Sequence, residues 1–308
     1  MSSDISVDLL IYTVGYETRA SYVVKNILSK EHLALRHEQT DMFSYENNCS
    51  YSESEGHPMI RAHTDSEEKI YRKISESLKV LERKSDRANV IGLDISSMQK
   101  EIISCVISQL FKLSEKFEIL LKIIYTTGQY KSPPENSGVY TDFHPIKGLE
   151  GWTIYPENPL SVVLGLGYEP DQAVGVLEYF DPSGSWAFVP LGADDRFLAD
   201  VKEANVSLWD FHLLKKESFL NYPVDQPGLL YSEIRGLVDV LRRKSRVIII
   251  PAGPKIFSAI AILVALELGD EVSLWRASSH DHIEITDTLP TDKLVQFDYK
   301  FTVHQREI

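Results

Sequence analysis

The chain has 308 residues, of which 43% are hydrophobic and 25% are charged, and its formal net charge is −13. That length is enough for two domains of ordinary size, and the composition is typical of a globular protein. The acidic balance argues against a protein that holds duplex nucleic acid on a broad basic face. A few lysines at helix N-termini can still bind a small anion.

The first half of the chain alternates apolar runs typical of strands with segments of helical spacing. Strands are predicted at residues 7–14, 33–39, 89–93 and 118–125. Helices are predicted at residues 18–28, 65–84 and 97–113, and the polar stretch 41–63 is predicted to be a long loop.

The same alternation continues in the second half. Strands are predicted at residues 160–166, 186–191, 206–213, 246–250 and 271–275, with an edge strand at 294–303. Helices are predicted at residues 171–179, 195–203, 226–243 and 254–268. This order predicts an α/β fold with two Rossmann-like parallel-sheet halves. The predicted domains are 1–132 and 159–308, joined by a linker at 133–158 that is rich in turn residues.

Cysteine content and hydropathy set expectations for the cellular location. The two cysteines, Cys49 and Cys105, are too few for a disulfide framework and do not have metal-ligand spacing. The most apolar stretch, residues 256–266, is shorter than a bilayer-spanning helix. We therefore expect a cytoplasmic protein without a membrane segment, a bound metal or a cofactor.

The two halves share a pair of landmarks, which indicates a pseudo-duplication. The tripeptide Gly-Tyr-Glu ends an apolar run at residues 15–17 and again at residues 167–169, here called the Gly15 turn and the Gly167 turn. At nearly the same distance after each copy, a second apolar run ends in a turn. These are residues 94–97 (the Asp94 turn, Asp-Ile-Ser-Ser) and residues 251–255 (the Gly253 turn, Pro-Ala-Gly-Pro-Lys). The alternative is a chance recurrence of three residues.

The Gly253 turn is the strongest candidate for a binding site. Ligands of open parallel sheets bind beyond the carboxyl ends of the strands, and each of the four turns leads from a predicted strand into a predicted helix. Gly253 lets a ligand approach the backbone, Pro254 suits the first helical position, and Lys255 can reach an anion. The alternative is a sharp strand-to-helix turn with a solvated lysine.

The Gly15 and Gly167 turns supply the next candidate ligand-binding residues, which are Gly15, Tyr16, Glu17, Gly167, Tyr168 and Glu169. Each tyrosine could stack on a base or pack half-buried, and each glutamate could act as an acid or base or simply favour the start of a helix. Arg19 follows the first copy and is a planar donor suited to phosphate. The second copy lacks this arginine, so the two turns are not equivalent sites.

The Asp94 turn and the last clear strand complete the candidate set. Asp94 could bind a ribose hydroxyl or cap the next helix, and Ser96 and Ser97 could donate to a ligand or act as caps. Lys100 opposes the dipole at a helix start, which is a reason to expect an anion there. Arg276 could line the same mouth or lie on a surface loop.

The Gly253 turn, its apolar helix and the strand at residues 272–275 resemble the CARF family, and the Asp94 turn is similar to a second copy of that turn. Two copies in one chain resemble a tandem CARF pair or the fused CARF-like pair called SAVED. Gly-Pro stands where the family has Gly-Thr, and the first half has no Gly-x-Lys turn. The resemblance implies a cyclic oligonucleotide ligand in bacterial antiviral defence. No fused nuclease motif is present in the sequence, so the effector is expected to be a separate protein, or the chain acts alone.

Three functions follow from these patterns. The first is a sensor for a nucleotide or cyclic oligonucleotide, with Arg19, Lys100 and Lys255 as anion contacts. The second is an enzyme acting on a nucleotide or phosphorylated metabolite, with Glu17, Asp94 or Glu169 as acid or base. The third is a non-catalytic subunit of a defence complex. The sequence does not decide whether a bound ligand is cleaved.

Overall fold

The structure, a computed structural model, describes residues 5–37, 42–62, 66–82, 87–133, 140–151, 155–279 and 285–301. The chain divides into two compact units. We call Met1–Gln129 with Asp287–Ile308 the first unit and Tyr130–Thr286 the second unit.

The first unit is built on alternating strands and helices, as the sequence predicts. Its first strands are β1 (Ser6–Val14), β2 (Leu28–Arg36), β3 (Met59–Arg61), β4 (Asn89–Asp94) and β5 (Ile119–Gly128). Its helices are α1 (Tyr22–Asn26), α2 (Tyr45–Ser54), α3 (Glu67–Glu82) and α4 (Lys100–Ser114). These strands are parallel and stand in the order β3-β2-β1-β4-β5. The central strand β1 is buried from Val7 to Val14, which explains its unbroken apolar run.

The second unit repeats this plan. Its strands are β6 (Tyr140–Pro145), β7 (Leu160–Gly165), β8 (Gly184–Leu191), β9 (Phe219–Pro223), β10 (Arg246–Pro251) and β11 (Val272–Ser279). Its helices are α5 (Gln172–Phe180), α6 (Asp195–Ala204), α7 (Val206–Asp210), α8 (Pro227–Leu241) and α9 (Lys255–Leu268). The parallel strands stand in the order β9-β8-β7-β10-β11. Helix α9 is buried continuously from Ile256 to Ala265, as expected for a helix that is apolar all round.

An antiparallel strand completes each sheet at the same edge. In the second unit β6 pairs with β11, and in the first unit β12 (Pro290–Lys300) pairs with β5. The chain therefore leaves the first unit after β5, forms the whole second unit and returns to the first unit as β12. At the exit and return points, the Gln129 N–H donates to the Leu289 carbonyl oxygen at 2.9 Å. The two sheets have matching strand orders, as a pseudo-duplication requires.

Several predicted boundaries differ from the structure. Residues 41–63, predicted as a loop, contain α2 and β3, while 206–213, predicted as a strand, contain α7. Short apolar runs fit strand and helix equally well, which accounts for the second error. The predicted linker 133–158 contains β6, and the edge strand predicted at 294–303 joins the first sheet, so the two units differ from the predicted domains.

Within the part of the chain that the structure describes, no helix is both long enough and apolar enough to cross a membrane.

Candidate anion-binding turns

The four candidate turns lie in two pairs, one pair in each unit. β1 and β4 are neighbouring parallel strands, with Ile11 opposite Leu93, so the Gly15 and Asp94 turns extend side by side. β7 and β10 are also neighbours, with Gly165 opposite Pro251, so the Gly167 and Gly253 turns are paired in the same way. In both sheets this is where the strand order reverses, which is the usual ligand site of a doubly wound sheet.

In the second unit the two turns touch backbone to backbone. A Cβ at Gly167 would lie 2.8 Å from the Gly253 backbone nitrogen, and a Cβ at Gly253 would overlap the Leu166 carbonyl oxygen. Gly253 also has a φ of +71°, a conformation that favours glycine. On the side where a side chain would start, Gly253 therefore lies against the backbone of Leu166. Both glycines have a structural role, because they allow the two turns to touch.

In the first unit the turns are less tightly packed. A Cβ at Gly15 would meet Ser97 Oγ and Thr13 Cγ2 at 3.8 Å, which is ordinary van der Waals contact. The Gly15 and Asp94 turns are thus neighbours without requiring a glycine at this position.

The Asp94 turn is stabilised by hydrogen bonds between its own residues. Asp94 Oδ1 accepts hydrogen bonds from the Ser96 backbone N–H at 2.9 Å and from the Ser96 hydroxyl at 2.5 Å. The Ser96 Oγ in turn accepts from the Thr126 N–H at 2.8 Å, and both Asp94 and Ser96 are fully buried. Their described contacts fix the turn, whereas Ser97 is only half-buried.

The helices that follow these turns both begin with a lysine. Lys100 is the first residue of α4 and Lys255 is the first residue of α9, and both side chains are half-buried. The N-cap residues are Gln99 and Pro254, and neither side chain makes a capping hydrogen bond. The predicted roles of Asp94, Ser96 and Ser97 as helix caps are therefore wrong, and Pro254 precedes the first helical position instead of occupying it.

Arg19 is engaged inside the protein. Its Nε donates to Glu17 Oε2 at 2.5 Å and its Nη1 donates to the Thr126 carbonyl oxygen at 3.2 Å. Arg19 and Glu17 are 7% and 8% exposed, and the guanidinium carbon lies 5.9 Å from the Tyr125 ring centroid. The arginine predicted to bind phosphate thus forms a buried ion pair that braces the Gly15 turn.

The same position in the Gly167 turn has no such pair. Pro170 and Asp171 replace Thr18 and Arg19, and Asp171 is exposed. Glu169 Oε2 is buried and has no hydrogen-bond partner among the described residues.

Two buried asparagines hold the glycine turns, and sequence reasoning missed both. Asn48 of α2 donates from Nδ2 to the Gly15 carbonyl oxygen at 2.9 Å and to the Glu17 carbonyl oxygen at 3.0 Å. Asn205, between α6 and α7, donates from Nδ2 to the Gly167 carbonyl oxygen at 2.9 Å. Their equivalence supports the duplication, but they lie at different distances along the chain from the turns that they hold, so spacing alone does not identify them.

The two tyrosines of the turns are half-buried and pack on phenylalanine. The Tyr16 and Phe43 ring centroids are 6.1 Å apart, and Tyr168 stacks on Phe197 at 6.3 Å. Burial, with a smaller contribution from the Glu17 charge, raises the pKa of Tyr16. These contacts correspond to the packing alternative for both tyrosines.

Arg276 lies within β11 and not in a loop. It stands opposite His144 of β6 in the antiparallel ladder and is half-buried. The surface-loop alternative for Arg276 is therefore wrong.

A small cavity lies beside the paired turns of the second unit. Its polar lining comes from Gln172 and Asn205, and its remaining walls include Gly165, Gly167 and Ala252. The free space is about that of one water molecule. This cavity is therefore too small for a nucleotide. Within the described ranges, no cluster of three His, Cys, Asp or Glu residues is placed to hold a metal ion.

A histidine pair between β2 and the segment that follows α2 was also missed. His32 of β2 stacks on His57 at 3.9 Å, and the Tyr12 hydroxyl lies 2.8 Å from both His57 Nδ1 and Ser52 Oγ. Burial, and then the neighbouring His57, lower the pKa of His32 to about 4. Burial also lowers the pKa of His57, which the nearby Glu55 carboxylate partly opposes.

We expect this pair to make the first unit less stable in mild acid. An unfolded histidine titrates near 6.5, so between about pH 6.5 and 4 the unfolded chain binds protons that folded His32 does not. The contribution is complete above pH 6.5 and is lost as the pH falls, by about 1–2 kcal/mol because His32 is only half-buried. Urea unfolding followed by circular dichroism at pH 7.5 and pH 5 measures it. His32→Gln should flatten the profile, and an unchanged profile in this variant would contradict the assignment.

Comparisons with known proteins give only weak structural similarity. No protein-family model matches the sequence, and no curated protein matches it. One similar structure is described as a universal stress protein of Pseudomonas aeruginosa (9% identity, 88% of this chain, 94% of that chain, TM-score 0.28). Another is the cytoplasmic domain of a prokaryotic cation chloride cotransporter (11%, 89%, 96%, TM-score 0.22). A third is leucoanthocyanidin reductase of Vitis vinifera in complex with NADPH (12%, 87%, 92%, TM-score 0.22). These TM-scores are too low to carry an argument about function.

Proposed function

We propose that the chain is a binding module for a small anionic ligand of the nucleotide class. The observation that carries this proposal is the equivalence of Lys100 and Lys255. Each is the first residue of the helix that follows the central β4 or β10 strand, next to a strand-order reversal. Each would place an ammonium group beside the unpaired N–H groups of a helix start.

A lysine at this position is unfavourable for the helix on its own. The positive end of the dipole repels a cation by about 0.3–1 kcal/mol, whereas an anion bound there is attracted by both the dipole and the lysine. A lysine begins the helix at two equivalent positions, and this recurrence supports a ligand role. Arg19 is not part of the proposal, because Glu17 already pairs with it.

The class of anion rests on the resemblance to CARF and SAVED proteins. It favours a nucleotide or cyclic oligonucleotide, antiviral defence as the setting and a separate effector protein as the partner. Phosphates of such a ligand suit helix N-termini, and its size suits an open crevice better than the small cavity beside β7 and β10.

An enzymatic version of this function would depend on Glu169. Glu17 is paired with Arg19 and Asp94 accepts from Ser96, so the described contacts of both carboxylates are structural. Glu169 Oε2 has no hydrogen-bond partner among the described residues, and no described contact gives Glu169 a structural role, so we take it as the candidate acid or base. Chromatography of the probe after incubation with the protein separates turnover from simple binding.

Lys255→Ala and Lys100→Ala are each expected to weaken ligand binding about tenfold, because a charge-assisted phosphate contact is lost. Calorimetry with ribonucleotides, cyclic oligoadenylates and pyrophosphate measures the affinity. Without ligand, Lys100→Ala should unfold at the same or a slightly higher temperature, because the unfavourable charge at the start of α4 is gone.

Lys244→Ala and Lys112→Ala are the matched controls. Both lysines are exposed, one just after α8 and the other in the last turn of α4. The controls lose the same charge but should keep the affinity of the wild type. If variants and controls bind equally weakly, the affinity depends on the overall charge of the protein and not on Lys100 and Lys255, and the proposal is contradicted. No binding of any probe would favour a non-catalytic subunit instead.

A further inference from the structure

The two Gly-Tyr-Glu turns differ in the state of their glutamate. In the Gly15 turn the carboxylate of Glu17 is neutralised by Arg19 at 2.5 Å. In the Gly167 turn the arginine is absent, and Glu169 Oε2 is buried without a hydrogen-bond partner among the described residues. A buried carboxylate oxygen without a donor is costly, and Asp200 Oδ2 and Glu233 Oε2 share this state on helices. What distinguishes Glu169 is its place in a turn at the carboxyl end of a central strand, where a ligand can supply the donor.

The position of Glu169 places this acceptor at the strand-order reversal. Oε2 lies close to Gly167 and would overlap a Cβ at residue 167. The Gly253 backbone nitrogen lies beside the same place, 2.8 Å from that Cβ position. Because α9 starts two residues later at Lys255, the positive end of its dipole is close to this side chain.

We propose that Glu169 recognises a hydrogen-bond donor of the ligand, either a ribose hydroxyl or an amino group of the base. This inference rests on the proposed function, in which the α9 N-terminus and Lys255 hold phosphate. Glu169 then accepts a hydrogen bond from the nucleoside part of the same ligand. An ionised carboxylate accepts strongly from hydroxyl and amino groups and repels a second phosphate, so it sets orientation as well as identity.

The two units therefore differ in how they recognise a ligand. The Gly15 turn cannot recognise a nucleoside in this way, because the carboxylate of Glu17 already accepts a hydrogen bond from Arg19. Discrimination between ligands therefore belongs to the second unit, whereas anion binding at a lysine-headed helix is common to both.

Nucleotide and phosphate probes separate these roles in the full-length protein. We would titrate AMP, 2′-deoxy-AMP, IMP and pyrophosphate into wild type, Glu169→Ala and Glu169→Gln, with the exposed Glu178→Gln as control. All four tryptophans of the sequence lie between residues 130 and 286, so their fluorescence reports on the second unit. Glu169→Ala should weaken AMP about 10–100-fold and leave pyrophosphate within about twofold. The wild type should bind 2′-deoxy-AMP more weakly than AMP if the donor is the hydroxyl, or IMP more weakly if it is the amino group.

A ligand-free measurement provides an independent test. If Oε2 has no partner, Glu169→Gln should keep or raise the thermal midpoint of the second unit, whereas a structural Glu169 would lower it. The inference is overturned if Glu169→Gln lowers the midpoint, or if Glu169→Ala leaves AMP binding unchanged or weakens pyrophosphate equally. The proposed function fails separately if Lys255→Ala leaves pyrophosphate binding intact. If no probe binds, both fail.

Discussion

Gly167→Ala is expected to destabilise the second unit by about 2–3 kcal/mol, whereas Gly15→Ala should change the stability of the first unit by less than about 1 kcal/mol. At Gly167 the added methyl group would overlap Glu169 Oε2 and the Gly253 backbone, and backbone atoms cannot move aside cheaply. At Gly15 the nearest atoms are 3.8 Å away. The same change in the same tripeptide therefore has different results, because only one copy touches its neighbouring turn.

Tryptophan fluorescence during urea unfolding follows the second unit, and far-ultraviolet circular dichroism follows both units. Gly167→Ala should shift the fluorescence transition, while Gly15→Ala should leave it in place. The Gly167 variant should also bind the nucleotide probes more weakly, because separating the two turns moves Lys255 away from the crevice. Equal stability of the two variants would refute the backbone contact between the Gly167 and Gly253 turns.

Glu17→Gln is expected to destabilise the first unit by about 3 kcal/mol, because Arg19 would keep its charge in a buried site without a counter-ion. The matched change Glu169→Gln removes no ion pair among the described contacts and should not destabilise the second unit.

A second substitution identifies the cause of the Glu17 effect. Adding Arg19→Met removes the unpaired charge and fills similar space, so it should recover part of the lost stability. The transition is followed by circular dichroism, since tryptophan does not report on the first unit. No recovery in the double variant would point to the other Arg19 contact, with the Thr126 carbonyl oxygen, as the main contribution.

Sequence patterns predicted the strongly apolar elements and failed where polarity or distance along the chain decided the structure. β1, β4, β7 and β10 are buried central strands, so their apolar runs are unambiguous. Helix α2 is polar, with Asn48 and Ser52 buried, and hydropathy alone does not reveal it. The pairing of β12 with β5 joins residues far apart in the chain, which no local pattern encodes.

The candidate residues lie at the ends of strands, as the sequence predicts, but several of them make contacts that the sequence does not predict. The switch from strand to helix identified the Gly253 turn and both lysines, because that switch is a local signal. It did not show that Gly253 fits against the Leu166 carbonyl oxygen or that Arg19 folds back onto Glu17. Those roles depend on contacts between turns, as do those of Asn48 and Asn205.

The return of β12 to the first sheet means that the protein did not grow by simple end-to-end fusion. Gln129 and Leu289 are hydrogen-bonded neighbours, so residues 130–286 occupy the place of a hairpin loop between β5 and β12. A gene encoding a tight turn at this point would still encode every strand of the first sheet, the Gly15 turn and Lys100. The inserted unit carries its antiparallel strand at its beginning and the host unit carries its own at the end, so the strand orders of the two units are related by a circular permutation.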